Sequence, residues 1–180
     1  MSKTQNKIIS KLIELAKTST LNRKHASAIC CGRKIINSSV NSPRTKFNKH
    51  ISICGHSEAN CIHAFVNQRR QYVSMPSSID GGSMYNLHRG RKMKKYTLYV
   101  VRRFTNIEEF GLMAPSAPCM HCTQIIRYYG FQKIVYIDET HNIKVVKMKD
   151  YTTNYMSSGN KRMIKNLCNN KLNIKEKIIN

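Results

Sequence analysis

Lys133-Ile134-Val135-Tyr136-Ile137-Asp138-Glu139-Thr140-His141-Asn142-Ile143-Lys144-Val145-Val146-Lys147-Met148 is the stretch that decides how this chain folds. It reads as two β-type runs, Lys133 to Ile137 and Ile143 to Met148, joined by a short polar link from Asp138 to Asn142. Two parallel neighbours need a crossover of about a dozen residues or more. The link is too short for that, so these strands are predicted to lie antiparallel.

Upstream of this pair, Pro118 precedes Cys119, and proline is well placed at a helix start because its missing N–H costs nothing there. A helix is predicted from about Cys119 to Tyr129, ended by Gly130. Before it, Tyr96 to Arg102 reads as a buried strand. Residues 68 to 95 form a long insertion, with Pro76, Ser77, Ser78, Gly81, Gly82 and Ser83 followed by the basic run Arg89, Arg91, Lys92, Lys94 and Lys95. Its length and composition predict a surface loop. Another helix is expected to begin near His56, with Ala59, Ile62, His63, Val66 and Asn67 on one face, after a basic polar loop over residues 44 to 55.

At the amino-terminal end, Ile8, Ile9, Leu12, Ile13, Leu15 and Ala16 recur at helical spacing and predict a helix over roughly Gln5 to Thr18. Ser27 to Cys31 and Lys34 to Val40 are β-type runs, and Gly32-Arg33 between them reads as a tight hairpin turn. Asn41-Ser42-Pro43 ends the second strand. The order is helix, strand, strand, helix, strand, helix, strand, strand. This predicts an α/β fold with a mixed five-stranded sheet covered by helices on both faces. Residues 1 to 156 are read as one domain carrying the 68 to 95 insertion. Residues 157 to 180 are read as a basic tail, with a helix near Lys161 to Leu167.

The chain has 180 residues, of which 41% are hydrophobic, enough for a core and against global disorder. Thirty-one Lys and Arg against nine Asp and Glu give a net charge of +22. Such a surface attracts polyanions, nucleic acid or nucleotide phosphates among them. The heavy use of Asn, Lys and Ile would equally follow from an AT-rich genome. No apolar run approaches a membrane span or a secretory signal, so a soluble, cytoplasmic protein without a membrane partner is expected. Seven cysteines, an odd number, without an export signal favour metal binding over a disulfide framework.

Two segments carry chemistry, Gly55-His56-Ser57-Glu58-Ala59 and Ala117-Pro118-Cys119-Met120-His121-Cys122. Cys119 and Cys122 lie three apart at a predicted helix start, so both sulfurs can face one point. The helix dipole and free amides there favour thiolates, which suit Zn²⁺. His56 supplies a third ligand from a second helix start. Three protein ligands leave the fourth tetrahedral position to water, the arrangement of a catalytic zinc, which brings the pKa of water to about 7. Glu58, two residues from His56, is placed to move protons between that water and a substrate.

His56-x-Glu58 followed by Pro118-Cys119-x-x-Cys122 resembles the zinc nucleobase deaminase signature. The chain is similar to the cytidine and deoxycytidylate deaminase superfamily over roughly residues 5 to 150, most sharply at these two motifs and at Lys24-His25-Ala26. The resemblance implies a three-layer α/β/α fold with Zn²⁺. It implies water attack at C4 of cytosine with loss of ammonia, Glu58 being the acid/base. The substrate implied is cytidine, deoxycytidine or a cytidylate. Asn41 stands where family members often place a nucleoside-contacting Asn, Ser57 replaces the usual Ala, and Ser116 and Ala117 would line the pocket. A homo-oligomer is also implied. Antiparallel terminal strands resemble the branch acting on free cytidine.

Two rivals stay open: a deaminase of bases in RNA or single-stranded DNA, and a non-catalytic zinc-stabilised nucleic-acid-binding module. In the second, Cys54 and Cys61 would close a four-cysteine site with Cys119 and Cys122. His63 and His121 are read as helix-face residues, Cys30 and Cys31 as core, and the 89 to 95 run as a solvated loop. Cys168 carries no argument.

Overall fold

The computed structural model describes residues 3–43, 46–47, 50–51, 55–68, 93–104, 113–162 and 165. In chain order the elements are α1 (Lys3–Ala16), β1 (Lys24–Cys31), β2 (Lys34–Val40), β3 (Lys46–Phe47), β4 (His50–Ile51), α2 (Ser57–Gln68), β5 (Thr97–Arg103), β6 (Met113–Ala114), α3 (Met120–Tyr128), β7 (Lys133–Ile137) and β8 (Ile143–Lys147). One mixed sheet runs in the order β2-β1-β5-β7-β8, with the short β6 paired to β5 as a sixth strand. β5 and β7 are parallel, and every other pairing in this sheet is antiparallel.

The terminal hairpin forms as the short link requires, with Ile137 paired to Ile143 and Lys133 to Lys147. The turn is held by Asp138 Oδ1, which accepts from the Thr140 and Asn142 backbone N–H groups at 3.0 and 2.8 Å. His141 takes a left-handed conformation there, at φ 61°. At the first hairpin Gly32 has φ 57° and no other positive-φ residue accompanies it, the pattern of a two-residue turn with glycine first.

Strand alternation sorts the core into two layers. Ala26, Ala28, Cys30, Tyr99, Val101, Val135 and Ile137 pack against the apolar stripe of α1, namely Ile8, Ile9, Leu12, Ile13 and Ala16. Ile29, Leu98, Val100 and Ile134 face the other way, onto Ala59, Ile62 and Phe65 of α2 and Ile125 and Ile126 of α3. The result is an α/β/α sandwich whose central strands are buried on both faces. Each buried Val, Leu, Ile or Phe among them contributes about 1.5–3 kcal/mol.

β1 begins at Lys24, three residues before the sequence pattern suggests, because the backbone of Lys24 to Ala26 pairs with Arg103 to Val101 of β5 although two of those side chains are polar. Residues 158–162 are helical, so the tail helix starts earlier than its apolar pattern implies. Most of the predicted insertion, residues 69–92, lies outside the described residues, as do Cys54 and Cys168.

Candidate metal and catalytic site

α2 and α3 stand on the same face of the sheet and both begin at its same end, so two helix starts meet there. His56 immediately precedes α2, and its carbonyl accepts from Asn60 N–H at 3.0 Å. Cys119 caps α3 with extended backbone, φ −71° and ψ 168°, and its carbonyl accepts from Thr123 N–H at 2.8 Å. Cys122 follows in the first turn of α3. The free N–H groups of both first turns therefore bias this end toward anionic ligands.

The ligand atoms of His56, Cys119 and Cys122 all lie within 4.8 Å of one another. His56 Nδ1 is 3.2 Å from Cys122 Sγ and 3.5 Å from Cys119 Sγ. A tetrahedral zinc with Zn–S near 2.3 Å and Zn–N near 2.0–2.1 Å would hold nitrogen and sulfur roughly 3.6 Å apart. The three residues thus fit the ion in donor type and in spacing. Hydrogen bonding from Cys122 pulls the Cys119 thiol down to about 4, against burial and with help from His56, so thiolate is already favoured. Cys61 is not part of the group. It is fully buried in the core, with its thiol donating to Asn37 O at 3.7 Å.

Glu58 sits in the first turn of α2 and is 4% exposed. Burial raises its carboxyl above the ordinary carboxylate range, opposed by His56 and reinforced by Cys119. Its Oε2 accepts from Ser57 Oγ at 3.2 Å, and Ser57 Oγ lies 2.7 Å from Ser27 Oγ on β1. A small polar side chain at position 57 thus links the carboxyl to the sheet, a link the usual Ala could not make.

The metal group and Glu58 open into a pocket of ≈ 360 Å³. Asn41, Ser57 and Ala117 line it. Asn41 also works inside the wall. Its Oδ1 accepts from Ser19 Oγ at 2.7 Å and from His25 N–H at 2.9 Å, and its Nδ2 donates to Arg23 O at 2.6 Å. Ser116 is placed behind the pocket: it donates to Val100 O at 2.8 Å and accepts from Ile137 N–H at 2.9 Å, tying β5 to β7.

Several pocket residues escape sequence reasoning: Leu21, Arg23, Tyr155, Ser157 and Ser158; His25 is marked only by the resemblance at Lys24-His25-Ala26 and not as a pocket residue. Desolvation, then the nearby Arg102, lowers His25 to about 3, so its imidazole is neutral. Tyr155 belongs to a carboxy-terminal segment clamped onto the start of α3. Its carbonyl takes Met120 N–H at 2.8 Å, and Tyr151 Oη donates to Pro118 O at 2.7 Å. His63 is buried and packs edge-on to Tyr129, a helix-face role as expected.

No protein-family model matches the chain, and no curated protein matches it by sequence. Among solved structures, the chain is similar to the 1.6 Å crystal structure of cytidine deaminase from Burkholderia pseudomallei, with a TM-score of 0.51 and 13% sequence identity over 87% of this chain and 100% of that one. The mixed sheet and its helix layers match that fold. The His56, Cys119 and Cys122 group is placed where it could hold a metal ion.

Proposed function

We propose that this chain is a zinc-dependent hydrolase that deaminates a cytosine nucleoside or nucleotide to the uracil form. The observation that carries the reading is the convergence of His56, Cys119 and Cys122 within 4.8 Å, at two helix starts, beside a buried carboxyl on the same pocket. A structural zinc site would need a fourth protein ligand and has no use for that carboxyl.

His56, Cys119 and Cys122 would hold the ion. Zinc held by three protein ligands supplies an electrophile that acidifies water toward neutral pH. Glu58 takes the proton released as water adds to C4 of the ring and delivers it to N3. A second proton passes through the same carboxyl to the amino group, which leaves as ammonia, so that one water is consumed for each amine lost. A carboxyl whose protonated form is stabilised by burial suits that shuttle. Ser57 orients it from the β1 side. Asn41 has one amide proton committed to Arg23 O, and the other is available to a sugar hydroxyl. Ala117 and Tyr155 border the space in which the ring would lie.

The test is ammonia release by zinc-loaded protein from cytidine, deoxycytidine, CMP, dCMP and a single-stranded RNA, beside the Glu58→Gln variant. Turnover on one of these is expected, falling by about 10²–10⁴-fold in Glu58→Gln with zinc retained. No turnover on any of them, with one zinc per chain, would refute the proposal and favour the non-catalytic module.

A further inference from the structure

We infer that Arg23 and Arg102 form a phosphoryl-binding subsite beside the catalytic pocket, so that the preferred substrate carries a phosphate; this rests on the deaminase reading above. His25 and Arg102 are register partners on β1 and β5, so their side chains leave the same face of the sheet. Alternation puts that face with Ile29, Leu98 and Val100, toward α2 and α3 and hence toward the metal group. A second cavity of ≈ 630 Å³ lies there, lined among others by Arg102 and Thr153. It shares Arg23, His25, Ala117 and Tyr155 with the catalytic pocket, so the two spaces have a common wall.

Among the described residues, no carboxylate pairs with the charges on this wall. Arg23 lies near enough to Arg102 for its charge to add to burial in lowering the Arg102 guanidinium. Arg102 Nε is buried and has no hydrogen-bond partner among the described residues. The ion pairs of Lys17 with Glu14 and of Lys144 with Asp138 involve neither arginine, and neither arginine is paired with a carboxylate among the described residues. Two carboxylates also line the cavity. Asp138 is already used, with Oδ1 accepting from its own turn and Oδ2 facing Lys144 at 3.3 Å. Glu139 is exposed and pairs with neither arginine.

Two guanidinium groups, one with a buried N–H to spare, match a phosphoryl group in charge and in fork geometry. A base held at Glu58 would then place its sugar along the common wall and its phosphate between the arginines. Strand polarity does not oppose this, because substrate choice resides in the groups lining a site rather than in the fold.

The source of the phosphoryl group, a free nucleotide or a polynucleotide backbone, is separated by experiment. With the zinc-loaded full chain, kcat/KM is measured for deoxycytidine, dCMP and a single-stranded oligodeoxynucleotide containing one cytosine, in wild type, Arg102→Gln and Arg23→Gln. A phosphorylated substrate is expected to be preferred over deoxycytidine, and that preference should fall about tenfold or more in each variant, the range for a lost charged hydrogen bond. Preference for dCMP identifies a free nucleotide and preference for the oligomer a backbone phosphate; either upholds the subsite. Arg23 is exposed, so Arg23→Gln keeps the test sound if Arg102→Gln folds poorly. Equal kcat/KM with and without phosphate, unchanged in Arg23→Gln, overturns the subsite and leaves the deaminase reading standing. Should wild type deaminate none of the three, the ribose counterparts cytidine, CMP and a single-stranded RNA replace them; if all of these are silent too, the deaminase reading fails, and calorimetry with inorganic phosphate decides the subsite. Saturable binding lost in Arg23→Gln upholds it, and absence of saturable binding overturns it.

Discussion

Replacing Asn41 by alanine removes three short hydrogen bonds at once: from Ser19 Oγ at 2.7 Å, from His25 N–H at 2.9 Å and to Arg23 O at 2.6 Å. Asn41 is 7% exposed, so water does not readily replace them. At about 1 kcal/mol net for each, Asn41→Ala should lose about 3 kcal/mol. Domains of this size have about 5–15 kcal/mol in all, so the variant should stay folded while melting roughly 6–12 °C lower. Ser19→Ala removes one of the three together with the bond that Ser19 Oγ accepts from Leu21 N–H at 3.3 Å, and should lose about 2 kcal/mol. Because Ser19 and Asn41 share a bond, the double variant should be less destabilised than the sum of the single ones, by about 1 kcal/mol. Urea unfolding with the slope held constant measures each term. A loss below about 1 kcal/mol for Asn41→Ala, or additivity within about 0.3 kcal/mol, would refute the view that this asparagine organises the wall.

Zinc content provides a second check. Atomic absorption on the zinc-loaded protein is expected to find one zinc per chain; Cys122→Ala should abolish it, whereas Cys61→Ala should retain it, since Cys61 lies in the core away from the group. Retention by Cys122→Ala, or loss from Cys61→Ala, would contradict the ligand assignment. At the first hairpin, Gly32→Ala should cost about 1–2 kcal/mol in the same unfolding assay through left-handed backbone strain alone, because a β-carbon there meets nothing within 4 Å. A neutral or stabilising result would show that the turn relaxes to another type.

The legible parts of the fold were those set by local spacing. The short Asp138 to Asn142 link allows only an antiparallel pair, and Gly32-Arg33 between two apolar runs allows little but a hairpin. The metal group was legible because Pro118 and the segment before Ser57 each announce a helix start next to a ligand. Spacing carries no information about residues that meet through the sheet. His25 and Arg102 are register partners from distant parts of the chain; Arg102 closes the run read as a strand and His25 lies before the other, and spacing does not show that they pair. Tyr155 reaches the pocket only because the segment after β8 folds back onto Pro118 and Met120, through the Tyr151 hydroxyl and the Met120 N–H, contacts that sequence spacing does not announce. Ser116 carried a signal, its place just before the Pro-Cys motif, but its hydroxyl turns into the sheet.

The direction of α2 has a consequence for how this chain can vary in length. The helix starts at the metal group and its twelve residues carry the backbone about 18 Å away before it ends at Gln68. β5 starts at that far end and runs back, reaching the common wall only at Arg102. Phe65 and Tyr96, near the departure and return of the chain, stack edge to face with centroids 5.2 Å apart, fastening the two ends together. Residues can therefore be gained or lost between them without moving a ligand or the carboxyl. Loop length between the two motifs is thus free to drift, whereas the few residues joining α1 to β1, bound to Asn41 at the pocket wall, are not.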